Sequence, residues 1–454
     1  MKMVMIVLYL VFVLHLSATI INIPEDFDSI QEGLNFASEG DTILVAEGIY
    51  FENIIWPDIE GIKVIGVNRE STIIDGNYVN RVIDFDNDYN IIDEDTLLKN
   101  FTIRNGFTQG GGAGIFCHNS KPSLINLIII NNESGFRGGG IMCFNYSHTT
   151  IENVIFSNNT ASEGGAINCD FSSNALLINC KLLDNISASC GGGIVAQGGS
   201  NIDVYNGLIY NNTATYGGAV ITGEKGTVDL INCTVVGNNA SEIGGAIGAY
   251  GGVDLLNCIL WDNSIPAIDG FVNATYSDIQ EGLAGVGNID LDPLFDGSGN
   301  YPFSLIDDSP CVNIGIPDTT GLNLPVFDLA NNPRVFGNRI DMGSYENQNV
   351  VVNSDENIIP LIAKLNQNYP NPFNPSTTIE FSIQNDSNIE LSFYNIKGQK
   401  IRTLVNKKQD AGFYNVIWNG KSNSGKNVTS GVYFYGLQVE NGDYTSIKKV
   451  ILLK

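Results

Sequence analysis

A short pattern of apolar and polar residues occurs seven times in the middle of the chain. It starts with Leu98-x-Asn100-Phe101-x-Ile103 and ends with Leu255-x-Asn257-Cys258-x-Leu260. Its asparagines are Asn100, Asn126, Asn153, Asn179, Asn206, Asn232 and Asn257, which gives a period of 25 to 27 residues. A period of this length predicts a solenoid in which each repeat forms one coil.

The spacing inside the pattern predicts a corner at the asparagine. Apolar residues fall three positions before, at, and two positions after the residue that follows the asparagine. A straight strand places every second residue on one face, so a spacing of three requires a bend. Asn adopts the left-handed backbone of such a bend more readily than other non-glycine residues. With coils about 4.8 Å apart, we expect the seven side chains to form a hydrogen-bonded ladder that holds the coils in register.

A second pattern predicts another strand in each coil, where Gly or Ala precedes an apolar β-former. Its copies are Gly114-Ile115, Gly140-Ile141, Ala166-Ile167, Gly193-Ile194, Ala219-Val220 and Ala246-Ile247. A leucine-rich repeat is the alternative, because Leu124-x-x-Leu127-x-Ile129-x-x-Asn132 fits its strand pattern. That fold needs a helix or its substitute on the far side, and Gly-rich segments followed by β-formers oppose a helix. The pattern therefore favours a β-helix.

Both ends of this region resemble a known superfamily. Ser29-Ile30-Gln31-Glu32 is a helix capping box, and the predicted helix would cover the first coil. The opening segment, residues 23–76, resembles the start of right-handed parallel β-helix proteins of the pectin-lyase-like superfamily. Asp292-Pro293-Leu294-Phe295 and Ile340-Asp341-Met342-Gly343-Ser344-Tyr345-Glu346 resemble the closing segment of secreted bacterial β-helix proteins. The resemblance implies a β-helix over residues 19–346, with the closing segment sealing the end of its core.

The repeats end before residue 347, and a linker and a second domain follow. Residues 347–364 lack periodicity and are interpreted as a linker. Alternating strands separated by Lys397-Gly398, Asn419-Gly420 and Asn441-Gly442 then predict a small β-sandwich over residues 365–454.

This C-terminal region resembles the sorting domain of the bacterial type IX secretion system, which has an immunoglobulin-like fold related to flagellar hook-capping proteins. The matching residues are Asn368-Tyr369-Pro370-Asn371-Pro372-Phe373-Asn374-Pro375, Trp418-Asn419-Gly420, Ser430-Gly431-Val432-Tyr433-Phe434-Tyr435 and Lys448-Lys449. Ser422 stands where that family often has Asp. The resemblance implies the type IX machinery as a partner of residues 365–454.

The net charge and the N-terminal segment limit the classes of ligand and the cellular location of the protein. The chain has a net charge of −26, with ten basic and six acidic residues in 365–454, so residues 1–364 carry −30. A region with this much negative charge repels nucleic acid and polyanionic sugars unless a divalent cation bridges the two. Residues 1–18 are predicted to be a secretory signal peptide, and no other stretch is long enough to span a membrane. We expect a protein secreted from, or attached to the outer surface of, a Gram-negative cell.

Eight cysteines in an exported protein suggest disulfides, but their positions suggest a different role. Cys117, Cys143 and Cys169 stand two residues after Ile115, Ile141 and Ile167, which predicts one inward column. Buried Cys acts as a small hydrophobe, so we interpret the column as core filling. A bridge between neighbouring coils stays the alternative, and metal binding is disfavoured because no CxxC spacing occurs.

Candidate binding residues lie on the outward face of the second strand. Its predicted outward columns are Phe116, Met142, Asn168, Val195, Ile221 and Gly248, followed by His118, Phe144, Asp170, Gln197, Gly223 and Tyr250. The second column mixes aromatic and polar groups as sugar-binding faces do, so His118, Phe144, Asp170, Gln197 and Tyr250 are the candidates for a glycan ligand. An ordinary solvated face is the alternative. After the asparagines, outward apolar residues such as Leu208, Ile259 and Trp261 are expected to be covered by a loop, by the C-terminal domain or by a partner.

One acidic run has the spacing of calcium ligands. Asp84, Asp86 and Asp88 alternate along the chain, although Tyr89 stands where an EF-hand loop needs Gly. The run is therefore not an EF-hand, and it predicts an acidic loop, with a calcium site as the alternative. No cofactor is required.

The predicted function is that of an exported cell-surface β-helix that acts as a binding or adhesion scaffold for glycans or surfaces. The competing hypothesis is a polysaccharide lyase or hydrolase of the same superfamily, whose members use carboxylates, an Arg or Lys base, or bound calcium. No repeated pair of Asp with an adjacent Arg matches those motifs. His118, Arg137, Glu163 and Asp170 are expected to cluster across neighbouring coils, and whether the protein is an enzyme stays open.

Overall fold

The computed structural model describes residues 18–86, 92–337, 339–349, 363–368, 370–439 and 444–453. The predicted signal peptide (except Ala18), most of the predicted linker, Tyr369, Asn441-Gly442 and the calcium candidate Asp88 lie outside these residues. The chain divides into two compact units, Met1–Asn349 and Val350–Lys454.

The first unit is a parallel β-helix in which each central coil contributes strands to four ladders, named A to D in chain order. Ladder A contains Ile54–Ile55, Ile83–Asp86, Ile115–His118, Ile141–Phe144, Ile167–Asp170, Ile194–Ala196, Val220–Thr222 and the first parts of Ile247–Leu256 and Ile268–Thr275. Ladder B contains Ile20–Ile23, Thr42–Val45, Lys63–Gly66, Leu97–Lys99, Ser123–Ile125, His148–Glu152, Asn174–Ile178, Asn201–Tyr205, Thr227–Ile231 and the second parts of the last two strands of ladder A.

The other two ladders complete each coil. Ladder C contains Gly48–Tyr50, Thr72–Asp75, Thr102–Arg104, Ile128–Ile130, Ile155–Ser157, Lys181–Leu183, Leu208–Tyr210, Thr234–Val236, Ile259–Trp261 and Asp278–Ile279. Ladder D contains Phe107–Thr108, Glu133–Ser134, Thr160–Glu163, Ile186–Cys190, Thr213–Tyr216 and Asn239–Ile243. The helix Ile30–Phe36 lies at the N-terminal end, capped by Ser29, and buries Ile30 and Leu34 in the core.

Left-handed residues make the corners. All seven asparagines of the repeated pattern have φ between 53° and 66°, and they lie between ladders B and C. Gly112, Gly138, Gly164, Gly191, Gly217 and Gly244, which precede ladder A, have φ between 62° and 70°. This conformation strains side chains with a Cβ, which explains the glycines.

Hydrogen bonds link only some of the corner asparagines. The amide of Asn126 donates to Asn100 at 2.7 Å, that of Asn206 to Asn179 at 2.9 Å, and that of Asn257 to Asn232 at 3.5 Å. Asn153 donates to Glu152 instead. Asn206 also donates to the carbonyl of Phe327, and Asn232 donates to that of Asp341. The bonds described here join three pairs of neighbours, so they do not form the continuous ladder that the period suggests.

A continuous asparagine ladder exists at another corner, between ladders C and D, where the pattern did not predict it. Each side-chain amide donates to a backbone carbonyl of the coil before, and each except the last also donates to the side-chain oxygen of the next asparagine at 2.9–3.0 Å. The same side-chain oxygen accepts the backbone N–H of the preceding asparagine. The members are Asn132, Asn159, Asn185, Asn212, Asn238 and Asn263, all buried. We call this column the buried asparagine ladder.

The cysteines fill the interior. Cys117, Cys143 and Cys169 are in register in ladder A and fully buried, and all eight cysteines are unpaired. Burial raises the pKa of the Cys180 thiol to about 12, which keeps it protonated at neutral pH. Cys190 is partly exposed.

The closing segment, residues 289–347, packs along the side of ladder C as well as at the end of the coils. Phe303 contacts Tyr210 with ring centroids 4.9 Å apart, and the N–H of Ser344 donates to Thr234 Oγ1 at 3.0 Å. Leu208, Val236 and Ile259 are consequently buried. A loop therefore covers the apolar surface of the later coils, while Ile128 and Ile155 in the earlier coils stay partly exposed.

The second unit is an antiparallel β-sandwich of a three-stranded and a four-stranded sheet. The three-stranded sheet contains Lys364–Leu365, Thr377–Ile383 and Gly412–Trp418. The four-stranded sheet contains, in spatial order, Lys400–Gln409, Ser387–Asn395, Gly431–Val439 and Tyr444–Leu452. Trp418 lies at the centre, 3.9 Å from the Phe393 ring and 5.4 Å from that of Phe373 in the Pro-rich motif. No helix among the described residues is long and apolar enough to cross a membrane.

Candidate functional site

The two predicted outward columns of ladder A differ in exposure. Met142, Asn168, Val195 and Ile221 of the first column are buried, so the expectation of an outward surface is wrong for them. The Gly-rich arm that enters ladder A folds back over this column. A Cβ added to Gly111 would lie 2.0 Å from Met142 Sδ, and one added to Gly138 would lie 2.9 Å from Met142 Cα. Only a chain without side chains at these points approaches so closely, which is why the arm is rich in glycine.

The second column is only partly accessible: His118, Phe144 and Gln197 are half-buried, whereas Asp170 is 4% exposed, so the expectation of an outward position is wrong for Asp170 as well. His118, Phe144 and Asp170 are direct neighbours in the parallel register, and Gln197 follows the next strand. Tyr250 is 56% exposed but lies further along, beyond the coil of Gly223. The structure therefore brings four of the five predicted residues together and leaves Tyr250 apart.

Aromatic rings from this column, from Phe116 of the first column and from the turns after the strands form a surface that we call the aromatic face: Phe116, His118, Phe144, Tyr146 and Phe171. The His118 ring lies 6.2 Å from that of Phe116 and 5.7 Å from that of Phe144. Phe171 meets Phe144 edge to face at 4.9 Å. Stacked coils hold these rings at neighbouring positions, so the face offers a series of flat apolar surfaces along the solenoid axis.

The calcium candidates Asp84 and Asp86 lie at one end of the same face. Asp86 pairs with His118 Nδ1 at 2.5 Å, and Asp84 pairs with Arg81 at 2.9 Å. The Arg81 guanidinium lies 4.0 Å from the centroid of Phe116. Burial raises the pKa of Asp84 although Arg81 opposes the shift. Within the described ranges, no group of three or more His, Cys, Asp or Glu has the arrangement of a metal site.

Four polar residues join the arm to ladder A in a cluster that we call the polar bridge: Arg137, Glu163, Asp170 and Gln197. Arg137 Nε donates to Glu163 at 2.8 Å, and Arg137 Nη1 donates to Asp170. The Gln197 amide donates to Glu163 at 3.2 Å and to Asp170 at 3.5 Å. Arg137, Glu163 and Asp170 thus come together as the sequence suggested. His118 contacts Phe144 and Asp86 instead of the bridge.

Two aromatic residues of the face have a left-handed backbone. Tyr146 has φ 64° and Phe171 has φ 54°, and they are 60% and 54% exposed. The turn positions equivalent to Phe171 in the neighbouring coils hold Asn145 and Gly198, which suit this conformation. A bulky residue there costs about 1–2 kcal/mol, and only part of each ring is buried, as in the contact of Phe171 with Phe144. These two aromatics are therefore unfavourable for the backbone conformation that they adopt.

Sequence reasoning missed Arg81, Tyr146 and Phe171. They belong to loops and turns next to ladder A, so strand periodicity did not single them out. One feature of the sequence could have identified Tyr146 and Phe171. In two successive coils an aromatic residue occupies a turn position where other coils have Asn, Gly or Ser.

The carboxylate groups of the face are engaged. Asp170 Oδ1 accepts the N–H of Phe171 at 2.8 Å while its Oδ2 pairs with Arg137. Glu163 is held by the same arginine. These bonds hold the side chains of Asp170 and Glu163 in fixed positions beside the aromatic face.

A separate cavity of about 620 Å³ lies within the closing segment. Its lining includes Tyr301, Asp307, Asp328, Tyr345 and Glu346. Asp328 and Glu346 accept backbone N–H groups of the segment itself, at Asn332 and Phe336 among others, which assigns both to holding the segment together. Although these two carboxylates have a structural role, the cavity is a second candidate binding site.

The fold defines an all-β protein with a parallel β-helix followed by an immunoglobulin-like β-sandwich. The family model described as right handed beta helix region matches residues 83–265, and the model of the FlgD Ig-like domain matches residues 373–443. No curated protein matches the chain. One similar solved chain is PorZ, described as an essential bacterial surface component of the type-IX secretion system of Porphyromonas gingivalis. It shares 17% identity over 20% of this chain, with a TM-score of 0.15. The match spans 11% of the length of PorZ.

Proposed function

We propose that the protein is an exported cell-surface scaffold whose β-helix binds a sugar chain along the aromatic face. The rings of Phe116, His118, Phe144 and Phe171 offer flat surfaces for the apolar faces of sugar rings. The polar bridge beside them offers amide and carboxylate groups for hydroxyls. A sugar chain laid along the solenoid axis meets both kinds of group.

The observation that carries this proposal is the pair of exposed aromatics on left-handed turns. Tyr146 and Phe171 stand where Asn or Gly would be more stable, and they extend the row formed by His118 and Phe144. Residues that oppose stability and lie beside one another on one surface indicate a binding site.

A glycan array tests the proposal. The full chain is expected to retain members of a panel of plant and algal glycans, and to release neither reducing ends nor unsaturated products from them. Absence of retention on the whole panel would remove the proposal. Turnover that disappears in an Asp170→Ala variant would instead support the polysaccharide lyase or hydrolase.

We also propose that residues 365–454 direct export through the type IX system. The support is the match of residues 373–443 to an Ig-like domain of the hook-capping type and the presence of the sorting-domain motifs. Phe373 and Trp418 pack together in the core, so part of the motif serves folding. Lys448 and Lys449 lie on the last strand, and Lys449 is exposed, as a recognition signal requires.

Export can be tested in a host that has a type IX system. A chain that lacks residues 365–454 is expected to accumulate in the periplasm, whereas the full chain reaches the cell surface. The Lys448→Ala/Lys449→Ala variant provides a folded comparison, and we expect it to reduce surface display several-fold. Equal surface amounts for all three proteins, measured by protease accessibility and immunoblotting, would contradict this route.

A further inference from the structure

The side chain of Tyr345 lines the cavity of the closing segment and carries a hydroxyl that the protein does not use. Tyr345 is 2% exposed, and its hydroxyl has no hydrogen-bonding partner among the described residues. Burial raises the pKa of Tyr345, and so do Asp328 and Tyr301, which line the same cavity. The hydroxyl therefore lies on the cavity side, keeps its proton, and has an oxygen free to accept a hydrogen bond.

The other buried tyrosines show how this chain normally treats such a hydroxyl. Tyr435 Oη donates to Asn366 O at 2.7 Å and accepts the N–H of Asn368 at 2.7 Å. Tyr433 Oη donates to a backbone carbonyl at 2.8 Å. Buried polar groups in native proteins are normally satisfied, so an exception calls for a specific cause. Tyr345 is the exception among the three buried tyrosines of the described chain.

The charge of the cavity lining is negative. No Lys or Arg side chain of the described residues lines the cavity, whereas five carboxyl groups do: Asp296, Asp307, Asp308, Asp328 and Glu346. Arg334 pairs with Glu346 at 3.3 Å, and the other four carboxyl groups form no ion pair within the described part of the chain. A cavity with this lining attracts cations and repels anions.

The carboxyl groups are too dispersed to hold a single metal ion. In the described ranges, no group of three or more His, Cys, Asp or Glu has the arrangement of a metal site. Calcium needs about six to eight oxygen ligands around one point. Here the carboxyl groups come from three stretches of chain, residues 296–308, 328–332 and 345–349, around a volume that suits a small organic molecule. A ligand that meets several of them must be extended and carry more than one positive charge.

Two aromatic rings add a surface that attracts ammonium groups. The rings of Tyr301 and Tyr345 have centroids 5.8 Å apart and are tilted by 56°. Lys181 of ladder C, which does not line the cavity, places its Nζ 5.5 Å from the centroid of Tyr301. The negative charge of a tyrosine ring face attracts an ammonium group, and a carboxylate does the same. The rings and the carboxyl groups therefore favour the same chemical group in a ligand.

We propose that the cavity of the closing segment binds a linear polyamine, a small organic molecule with two or more ammonium groups. The lining carboxylates pair with these groups, the rings of Tyr301 and Tyr345 contact them, and the Tyr345 hydroxyl accepts an N–H. This site is separate from the aromatic face, and the inference does not depend on a sugar ligand.

Calorimetric titration of the full chain with spermidine tests the inference. We expect one saturable site per chain, and no binding of octanediol, which is an uncharged chain of similar length. Tyr345→Phe is expected to weaken spermidine binding about fivefold and to leave the thermal midpoint unchanged, because the hydroxyl has no partner among the described residues. Asp308→Asn removes a charge without breaking a hydrogen bond to any described residue, and we expect it to weaken binding about threefold.

Asp290→Asn is the matched control. Asp290 belongs to the closing segment and is exposed, but it does not line the cavity. Its replacement makes the same change of charge as Asp308→Asn and should leave the affinity unchanged. Equal losses in these two variants would show only a general attraction of spermidine to a chain with a net charge of −26, and would overturn the inference.

The remaining outcomes also decide the matter. Unchanged affinity in Tyr345→Phe overturns the inference, and so does a lower thermal midpoint, which would show that the hydroxyl holds the segment together. Binding of octanediol as tight as that of spermidine, or the absence of a saturable site, overturns it as well. Each of these results leaves the proposed sugar site in place, because the glycan array tests that site separately.

Discussion

Replacement of Asn185 by Ala is expected to lower the free energy of unfolding of the β-helix by about 4 kcal/mol. Asn185 Oδ1 accepts both the backbone N–H and the side-chain amide of Asn159, and Asn185 Nδ2 donates to Phe156 O and Asn212 Oδ1. Removal leaves the buried backbone N–H of Asn159 unpaired and takes one of the two bonds of its side-chain amide, which keeps its bond to Ile129 O. Each unpaired N–H costs about 1–3 kcal/mol. Equilibrium urea denaturation followed by circular dichroism measures the change.

Asn179→Ala is the matched control, since Asn179 belongs to the corner column between ladders B and C. It accepts one side-chain bond, from Asn206, and Asn206 keeps its bond to the carbonyl of Phe327. Its loss, with the strain of Ala at φ 54°, should cost about 1–2 kcal/mol and should not affect ligand binding. Equal destabilisation by the two variants would contradict the distinction between the buried ladder and the corner column.

The double variant Phe171→Asn/Tyr146→Gly is expected to be more stable than the parent yet about 100-fold weaker in sugar binding. Both replacements suit the left-handed backbone, so stability should rise by about 1–2 kcal/mol. Each lost ring removes a stacking surface worth roughly 1–1.5 kcal/mol, and two together correspond to about a 100-fold loss. Calorimetric titration with the tightest sugar from the array, together with urea denaturation, measures both effects.

Tyr78→Asn serves as the control for this variant. Tyr78 also has a left-handed backbone, with φ 57°, and is 56% exposed, but it follows ladder C instead of ladder A. Its replacement should raise stability in the same way and leave sugar binding intact. A loss of affinity as large as that of the double variant would show that the aromatic face is not the binding surface.

The fold was predictable because its main determinants are periodic. The corner at Asn100 and its six equivalents follows from the spacing of apolar residues, and the strands of ladder A follow from the second pattern. The left-handed glycines, such as Gly112, lie two residues before that pattern and were not predicted. The buried asparagine ladder was missed although Asn132 and its equivalents repeat at the same period, because a polar residue beside apolar ones suggests a solvated turn.

The candidate site was predictable only in part. Register along ladder A placed His118 beside Phe144 and Phe144 beside Asp170, since stacked coils bring residues one period apart into contact. The burial of Asn168 was not predictable, because it depends on how closely the Gly-rich arm approaches ladder A. Phe171 was not predicted as a site residue because the sequence does not show its left-handed backbone, a conformation that is unfavourable for Phe.

A structure of the full chain with the tightest-binding sugar from the array tests the central claim most directly. The account predicts sugar rings stacked on Phe144 and Phe171, with hydroxyls within hydrogen-bonding distance of the polar bridge. A sugar found instead in the cavity of the closing segment, between Tyr301 and Tyr345, would contradict it.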